Sequence, residues 1–193
     1  MYTALRSTSK TLKKLLDDQL AMRGLSSIVS LSTPTEMDKS NTSGLSVWLY
    51  RVVRDENRLN DPSIRSDSTH ELKAPLPTRL HYLITPLGLT PEVEQELLGV
   101  VLQVFHDRPK LSGSDLDIDL VGSVEELTVR LEQLTLEEMS RAWEALQSPY
   151  QLSLSYEVSV VPIESTVSST GAPVTMVITD AELIVTADSL VTA

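Results

Sequence analysis

Residues 151–163, Gln-Leu-Ser-Leu-Ser-Tyr-Glu-Val-Ser-Val-Val-Pro-Ile, alternate apolar and polar side chains for a dozen residues. A period of two belongs to an extended strand, because successive side chains leave a pleated backbone on opposite faces, and it does not fit the 3.6 period of a helix. The chain must therefore build a sheet around this segment, with Leu154, Tyr156 and Val158 on one face and Ser153, Ser155 and Glu157 on the other.

Several further segments read as strands. Residues 45–53 (Leu-Ser-Val-Trp-Leu-Tyr-Arg-Val-Val) are dense in β-formers and short for a helix, so they predict a central strand. Residues 76–86 set Leu80, Tyr82 and Ile84 against Arg79, His81 and Leu83, and residues 26–32 predict a short strand closed by Pro34. Leu116-Asp117-Ile118-Asp119-Leu120 alternates strictly and predicts a half-exposed strand; residues 126–134 alternate likewise and are read as a strand, although their Leu and Glu content would also tolerate a helix. Helices are expected in three places. Leu5, Leu12, Leu16 and Leu20 form a stripe that Gly24 is placed to end. Thr90-Pro91-Glu92-Val93-Glu94 offers an N-cap, a proline at the first helical position and early acidic residues, opening a helix to about Asp107. Thr135-Leu136-Glu137-Glu138 is a capping box that opens a third, through Met139, Trp143 and Leu146. Residues 35–43 read as a polar connector, residues 54–73 as the longest loop and residues 164–173 as a linker. The class is α+β, a mixed or antiparallel sheet with packed helices, organised as a body over residues 1–163 and a linker with a C-terminal β arm over residues 164–193.

Composition narrows the function. The 193 residues contain no cysteine, which excludes disulfide scaffolds, thiol catalysis and thiolate zinc sites. The formal charge of −11 is unevenly spread: residues 1–89 carry 12 basic and 9 acidic side chains, residues 90–193 carry 4 and 18, and the last basic residue is Arg141. An acidic balance of this kind lacks the clustered Lys and Arg of a phosphate footprint, so nucleic acid is not an expected partner. No stretch approaches the roughly 18 apolar residues of a membrane helix, and the N-terminus has no signal-peptide pattern, so direct membrane insertion is not expected and assembly in the cytoplasm is. The half-to-half charge asymmetry suits a subunit that packs head to tail with copies of itself.

Motifs for chemistry are sparse. The nucleophile elbow, the phosphate loop, the dinucleotide fingerprint and the H-E-x-x-H pair are missing. His70, His81 and His106 fall on a loop, a strand and a helix end with no second ligand at suitable spacing on the same element, and read as surface or strand-face residues. Asp115, Asp117 and Asp119, two apart, share one face if they lie in a strand and would then hold a divalent cation, yet the glycine and bidentate glutamate of a calcium loop are missing; a solvated strand face is the plainer reading. Trp48, Trp143, Tyr82 and Tyr156 sit in apolar runs and read as core. No cofactor, metal or catalytic residue is assigned, and the chain is expected not to be an enzyme.

Six blocks in order carry a resemblance. After the first helix come a short strand ending in Ser32-Thr33-Pro34, then Val47-Trp48-Leu49-Tyr50-Arg51-Val52 with Asn57 following, and Leu80-His81-Tyr82-Leu83-Ile84-Thr85. Then come residues 96–104 (Glu-Leu-Leu-Gly-Val-Val-Leu-Gln-Val), residues 134–146 (Leu-Thr-Leu-Glu-Glu-Met-Ser-Arg-Ala-Trp-Glu-Ala-Leu) and residues 153–158 (Ser-Leu-Ser-Tyr-Glu-Val). Over residues 2–163 the chain resembles the cap, or tail-terminator, proteins of phage-tail-like contractile injection systems of the antifeeding-prophage type. The resemblance implies a structural subunit of a six-fold ring that ends the inner tube and sheath away from the baseplate, with those tube and sheath proteins as partners. It does not carry over any role of the larger C-terminal region found in some relatives. A monomeric assembly chaperone or binding module is the alternative from another class, followed by a small metal-dependent hydrolase using the three aspartates.

Beyond the linker, Val174, Met176 and Ile178 share one face of a five-residue apolar segment, and Leu183 and Val185 do so in a second. Two such strands are not stable alone and must pack on the body, on a neighbouring subunit or on a sheath strand. These five residues are the candidate assembly arm.

Overall fold

The computed structural model describes residues 2–58, 75–122, 124 and 126–163, together with the backbone of residues 64–65, 70–72 and 168–170. In chain order the elements are α1 (Ala4–Met22), β1 (Ile28–Ser30), α2 (Pro34–Lys39), β2 (Gly44–Arg54), β3 (Ile64–Arg65), β4 (His70–Leu72), β5 (Leu76–Leu87), α3 (Pro91–Asp107), β6 (Lys110–Ser112), β7 (Glu126–Leu131), α4 (Leu136–Ala145), β8 (Leu154–Ile163) and β9 (Ser168–Thr170). The main sheet runs β1-β2-β5-β8-β7-β6, with β1 parallel to β2 and every other neighbour antiparallel, so the expected mixed α+β architecture is what forms.

Alternation along β5 assigns the two faces. Leu80, Tyr82 and Ile84 enter the main core with Leu12, Leu16 and Leu20 of α1, Leu97, Val101, Val104 and Phe105 of α3, and Tyr156 and Val158 of β8. Each fully buried leucine of that stripe contributes about 2 kcal/mol of transfer free energy. Leu83 points the other way, to a second cluster with Met139 and Trp143 of α4, flanked by Trp48 and Tyr50. The central strands are thus covered on both sides. α1 ends as its sequence suggests: Gly24 has φ +73°, its N–H bonds to the Ala21 carbonyl and the Leu25 N–H reaches back to Leu20, a left-handed closure that glycine adopts without steric cost.

Three expectations are corrected. Residues 35–43 are not merely a connector: Thr33 accepts from the Glu36 N–H at 3.2 Å while the Glu36 carboxylate accepts from the Thr33 N–H at 3.0 Å, a reciprocal cap that starts α2 with Pro34 at its first position. Pro34 therefore opens a helix instead of closing a strand. Removing the hydroxyl in Thr33→Ala is expected to cost about 1 kcal/mol and lower Tm by about 3 °C, read by thermal unfolding. The long loop and the linker each contain strand: β3, β4 and β9 form a three-stranded sheet, with His70 paired to Thr170, so His70 lies in a strand. The third correction is the aspartate segment. Leu116 and Leu120 are buried, but a 3₁₀ turn at Gly113–Asp115 and a turn after Asp117 replace the expected strand and leave Ile118 85% exposed.

Candidate functional site

The turn destroys the shared face on which Asp115, Asp117 and Asp119 were to meet. Asp115 pairs with Arg108 at 3.6 Å, and Asp119 with Arg6 at 3.0 Å and the Ser7 hydroxyl at 3.2 Å. The Asp117 carboxylate accepts from the Asp119 N–H, and the Asp117 N–H donates to Thr11 at 2.8 Å. This segment docks onto the N-terminal half of α1, whose buried Thr8 and Thr11 also return hydrogen bonds to carbonyls four residues earlier. The three carboxylates act as local braces and do not form a ligand set.

A different polar cluster is assembled from β2, β5, β8 and the end of β7. On the α4 side of the sheet, His81 of β5 lies across from Glu157 of β8, and Glu132, just past β7, meets His81 Nδ1 at 2.8 Å. The Ser155 hydroxyl donates to Glu132 at 2.6 Å, and the Tyr50 and Ser155 hydroxyls are 3.1 Å apart. Arg79 closes the group at one end, 2.7 Å from Asp55 and 3.5 Å from Glu157. His81 is buried, and its Nε2 has no hydrogen-bond partner among the described residues. Burial alone would raise the Glu132 carboxyl, but the hydrogen bonds from His81 and Ser155 outweigh it and hold the group below the usual carboxylate range. Burial pushes the Tyr50 phenol up, and that of Tyr156, on the other face, up to about 12.

His81, Glu132 and Glu157 each offer one ligand atom, all within 4.8 Å of one another. Arg79 already compensates Glu157 and His81 already engages Glu132, so a cation would have to displace both. The arrangement is that of a polar network fixing the register of β2, β5, β7 and β8. Sequence reading missed it because its members are 51 and 25 residues apart; the polar half of the 153–159 alternation was the one available signal, since serine and glutamate on a covered face need partners. Of the other residues singled out, Trp143, Tyr82 and Tyr156 are buried and Trp48 packs against the α4 cluster, while His106 is exposed at the end of α3. Val174, Met176, Ile178, Leu183 and Val185 lie outside the described residues.

Surface features are more prominent than cavities. Beside Leu131, at the end of β7, an apolar groove of about 650 Å³ is lined by Leu102, Phe105, His106, Pro109 and Tyr156; on the other side of Leu131 a second hollow of about 330 Å³ includes Leu136, Met139 and Tyr150. Leu131, Leu136, Tyr150 and Leu152 are each about half or more exposed. Among the described residues no helix is long and apolar enough to cross a membrane.

Sequence comparison with curated proteins gives no match. Among solved structures, the chain is similar to the sheath/tube terminator of the extracellular contractile injection system PVC in its extended state, with a TM-score of 0.62 and 20% identity over 89% of this chain. It is equally similar in fold to the tube-terminating cap of the anti-feeding prophage, with a TM-score of 0.62 and 19% identity over 93% of this chain. The chain spans 62% and 60% of the length of those two proteins. With residues 7–176 matching it from within α1 to beyond β9, this chain belongs to the Pvc16 N-terminal domain family.

Proposed function

We propose that this protein is a structural cap subunit that closes the inner tube and sheath of a contractile injection particle at the end away from the baseplate. The carrying observation is the fold: a body that matches a sheath/tube terminator and a tube-terminating cap over about nine-tenths of its length, within the family of such a domain. The subunit works as part of a homo-oligomeric ring, six-fold by resemblance, that assembles in the cytoplasm onto tube and sheath. Its role is not catalytic, a reading supported by the aspartates being spent on braces and by the carboxylates of the His81 network being engaged in internal hydrogen bonds and ion pairs. A ring subunit needs a rigid double-covered sheet, complementary surfaces and an extension that reaches a neighbour. The double-covered β5 and β8, the apolar end around Leu131 and the arm at Val174–Ile178 and Leu183–Val185 supply candidates for all three.

Deleting the protein from the particle-producing cell is expected to give tubes and sheaths of irregular length, or no stable particles, in electron micrographs. Particles of normal length and end structure from the deletion strain would refute the cap role.

A further inference from the structure

We propose that the face of the main sheet beside α4 is the surface on which a second copy of this chain docks, with Arg51 and Arg130 of one copy receiving Glu92 and Glu96, at the start of α3, of the next. The inference rests on the ring reading above and assigns the contact that links one subunit to its neighbour.

Register places the two arginines. Arg51 of β2 lies opposite His81 of β5, His81 opposite Glu157 of β8, and Glu157 opposite Arg130 of β7, so the four residues form one row across four strands. Directly opposed residues of antiparallel strands share a face, and three strand spacings set the two arginines about 14 Å apart. The row lies just beyond the Trp48 and Leu83 pair that packs with α4, and both arginines are exposed. Neither makes a hydrogen bond or ion pair with a described residue. The carboxylates nearest them are already engaged, Glu157 by Arg79 and Glu132 by His81 and Ser155. The other basic residues described in the main sheet are paired as well, Arg54 with Glu56, Arg79 with Asp55 and Lys110 with Glu126. In a chain of net charge −11, this row therefore holds two cations that its own sheet leaves uncompensated.

Charge complementarity and topology indicate the occupant. Glu92, Glu94 and Glu96 fall within the first six residues of α3, and none of them pairs with a described cation. The helix dipole favours carboxylates in the first turn, where Glu92 and Glu94 sit, but that pull fades before Glu96. Glu92 and Glu96 are four residues apart and exposed, so they stand on one side of the helix and repel each other unless a cation comes between them. Gly99 and Gln103 continue the same exposed stripe, and Gly99 puts no side chain in the way of a close approach. Within one chain the two charged sets cannot meet: α3 packs through Leu97, Val101, Val104 and Phe105 on the α1 side of the sheet, whereas the arginine row belongs to the side that α4 covers. Two copies set head to tail bring them together. Such a contact joins unlike surfaces, the kind of interface that closes into a ring when its rotation allows.

Paired charge reversal tests the contact. Full-length Arg51→Glu/Arg130→Glu and full-length Glu92→Arg/Glu96→Arg proteins, checked by melting curves, are followed by sedimentation alone and in equal mixture, and are returned singly and together to the deletion strain. Each alone is expected to self-associate at least about tenfold more weakly than wild type, because like charges then face one another. The mixture is expected to regain wild-type association, since copies that alternate around an even-numbered ring present matched charges at every contact, and capped particles should follow the same pattern. The milder Arg51→Gln/Arg130→Gln protein, which adds no charge beside Glu157, should fall between wild type and the reversed form. Variants that associate alone as strongly as wild type overturn the contact and leave the ring reading intact. A loss in both reversed proteins that mixing does not restore, with melting curves unchanged, also overturns it and assigns these charges to tube or sheath. Wild-type protein that is monomeric at every concentration, with capped particles restored equally by wild type and each variant, overturns the contact and the self-assembling ring together.

Discussion

Gly44→Ala is expected to destabilise the body by about 3–5 kcal/mol and lower its Tm by about 10 °C, an outsized effect for one methyl group. Gly44 opens β2 at φ +149°, and a Cβ there would stand 2.2 Å from the Ile28 carbonyl oxygen, inside the backbone of β1. β1 runs parallel to β2, pairing Ile28, Val29 and Ser30 with Gly44, Leu45 and Ser46, and cannot move aside without losing those bonds. Displacing it also withdraws Val29, 1% exposed, from the main core, worth about 2 kcal/mol, with backbone strain at residue 44 added to that. Gly99 supplies the control. It sits in α3 with nothing within 4 Å of a built Cβ, so Gly99→Ala should be neutral or raise stability by about 0.5–1 kcal/mol. Hydrogen exchange sharpens the reading, since the amides of residues 28–30 should lose protection in Gly44→Ala while those of β5 keep theirs. A melting temperature unchanged by Gly44→Ala would mean that β1 contributes little to the body.

Periodicity made most of the body legible. β2, β5, β7, β8 and the three long helices follow from strict alternation, an apolar stripe or a cap, because each of those patterns is a local cause of the element it names. Leu116 to Leu120 shows where that logic stops: the alternating pattern is met equally by a turn that buries its two leucines and leaves Ile118 outside, and only the contacts of Thr11 and Ser7 of α1 with the aspartates decide between them. The role of Gly44 was illegible for a similar reason, since the atom that forbids a side chain there belongs to a strand 16 residues earlier. Thr33 to Glu36 is different. Its capping box is a local signal as clear as that at Thr135, and the polar composition around it hid a helix that the spacing alone reveals. The His81 network joins residues from separate strands, so its members were individually visible and collectively not; the resemblance in six ordered blocks supplied the family where single motifs did not.

The Arg79 end of that network carries the second large effect. Arg79 falls where β5 and β8 shift register between Thr78 and Leu80, and the irregularity lets one guanidinium reach Asp55 at 2.7 Å and Glu157 at 3.5 Å. The two carboxylate side chains are 7% and 17% exposed, so Arg79→Met leaves two poorly solvated negative charges without their cation and is expected to cost about 3 kcal/mol at pH 7. Its pH dependence separates charge from packing. The hydrogen bond from Arg79, joined by that of the Asn57 N–H, outweighs burial and holds the Asp55 carboxyl below its usual value. A carboxyl whose folded pKa is depressed contributes stability that is fully present above its unfolded value, about 3.9, and lost as pH falls through the folded value. The wild-type protein therefore loses this contribution on acidification below about pH 4, whereas Arg79→Met, already without it, does not. Glu132 adds an acid-labile term of the same sign to both proteins, so it cancels in the difference. Urea denaturation of the pair from pH 7 to pH 3 should show a gap of about 3 kcal/mol that narrows toward acid. A gap that stays constant across that range would assign the loss to the stem of Arg79 packing on β5 and β8 and not to its charge.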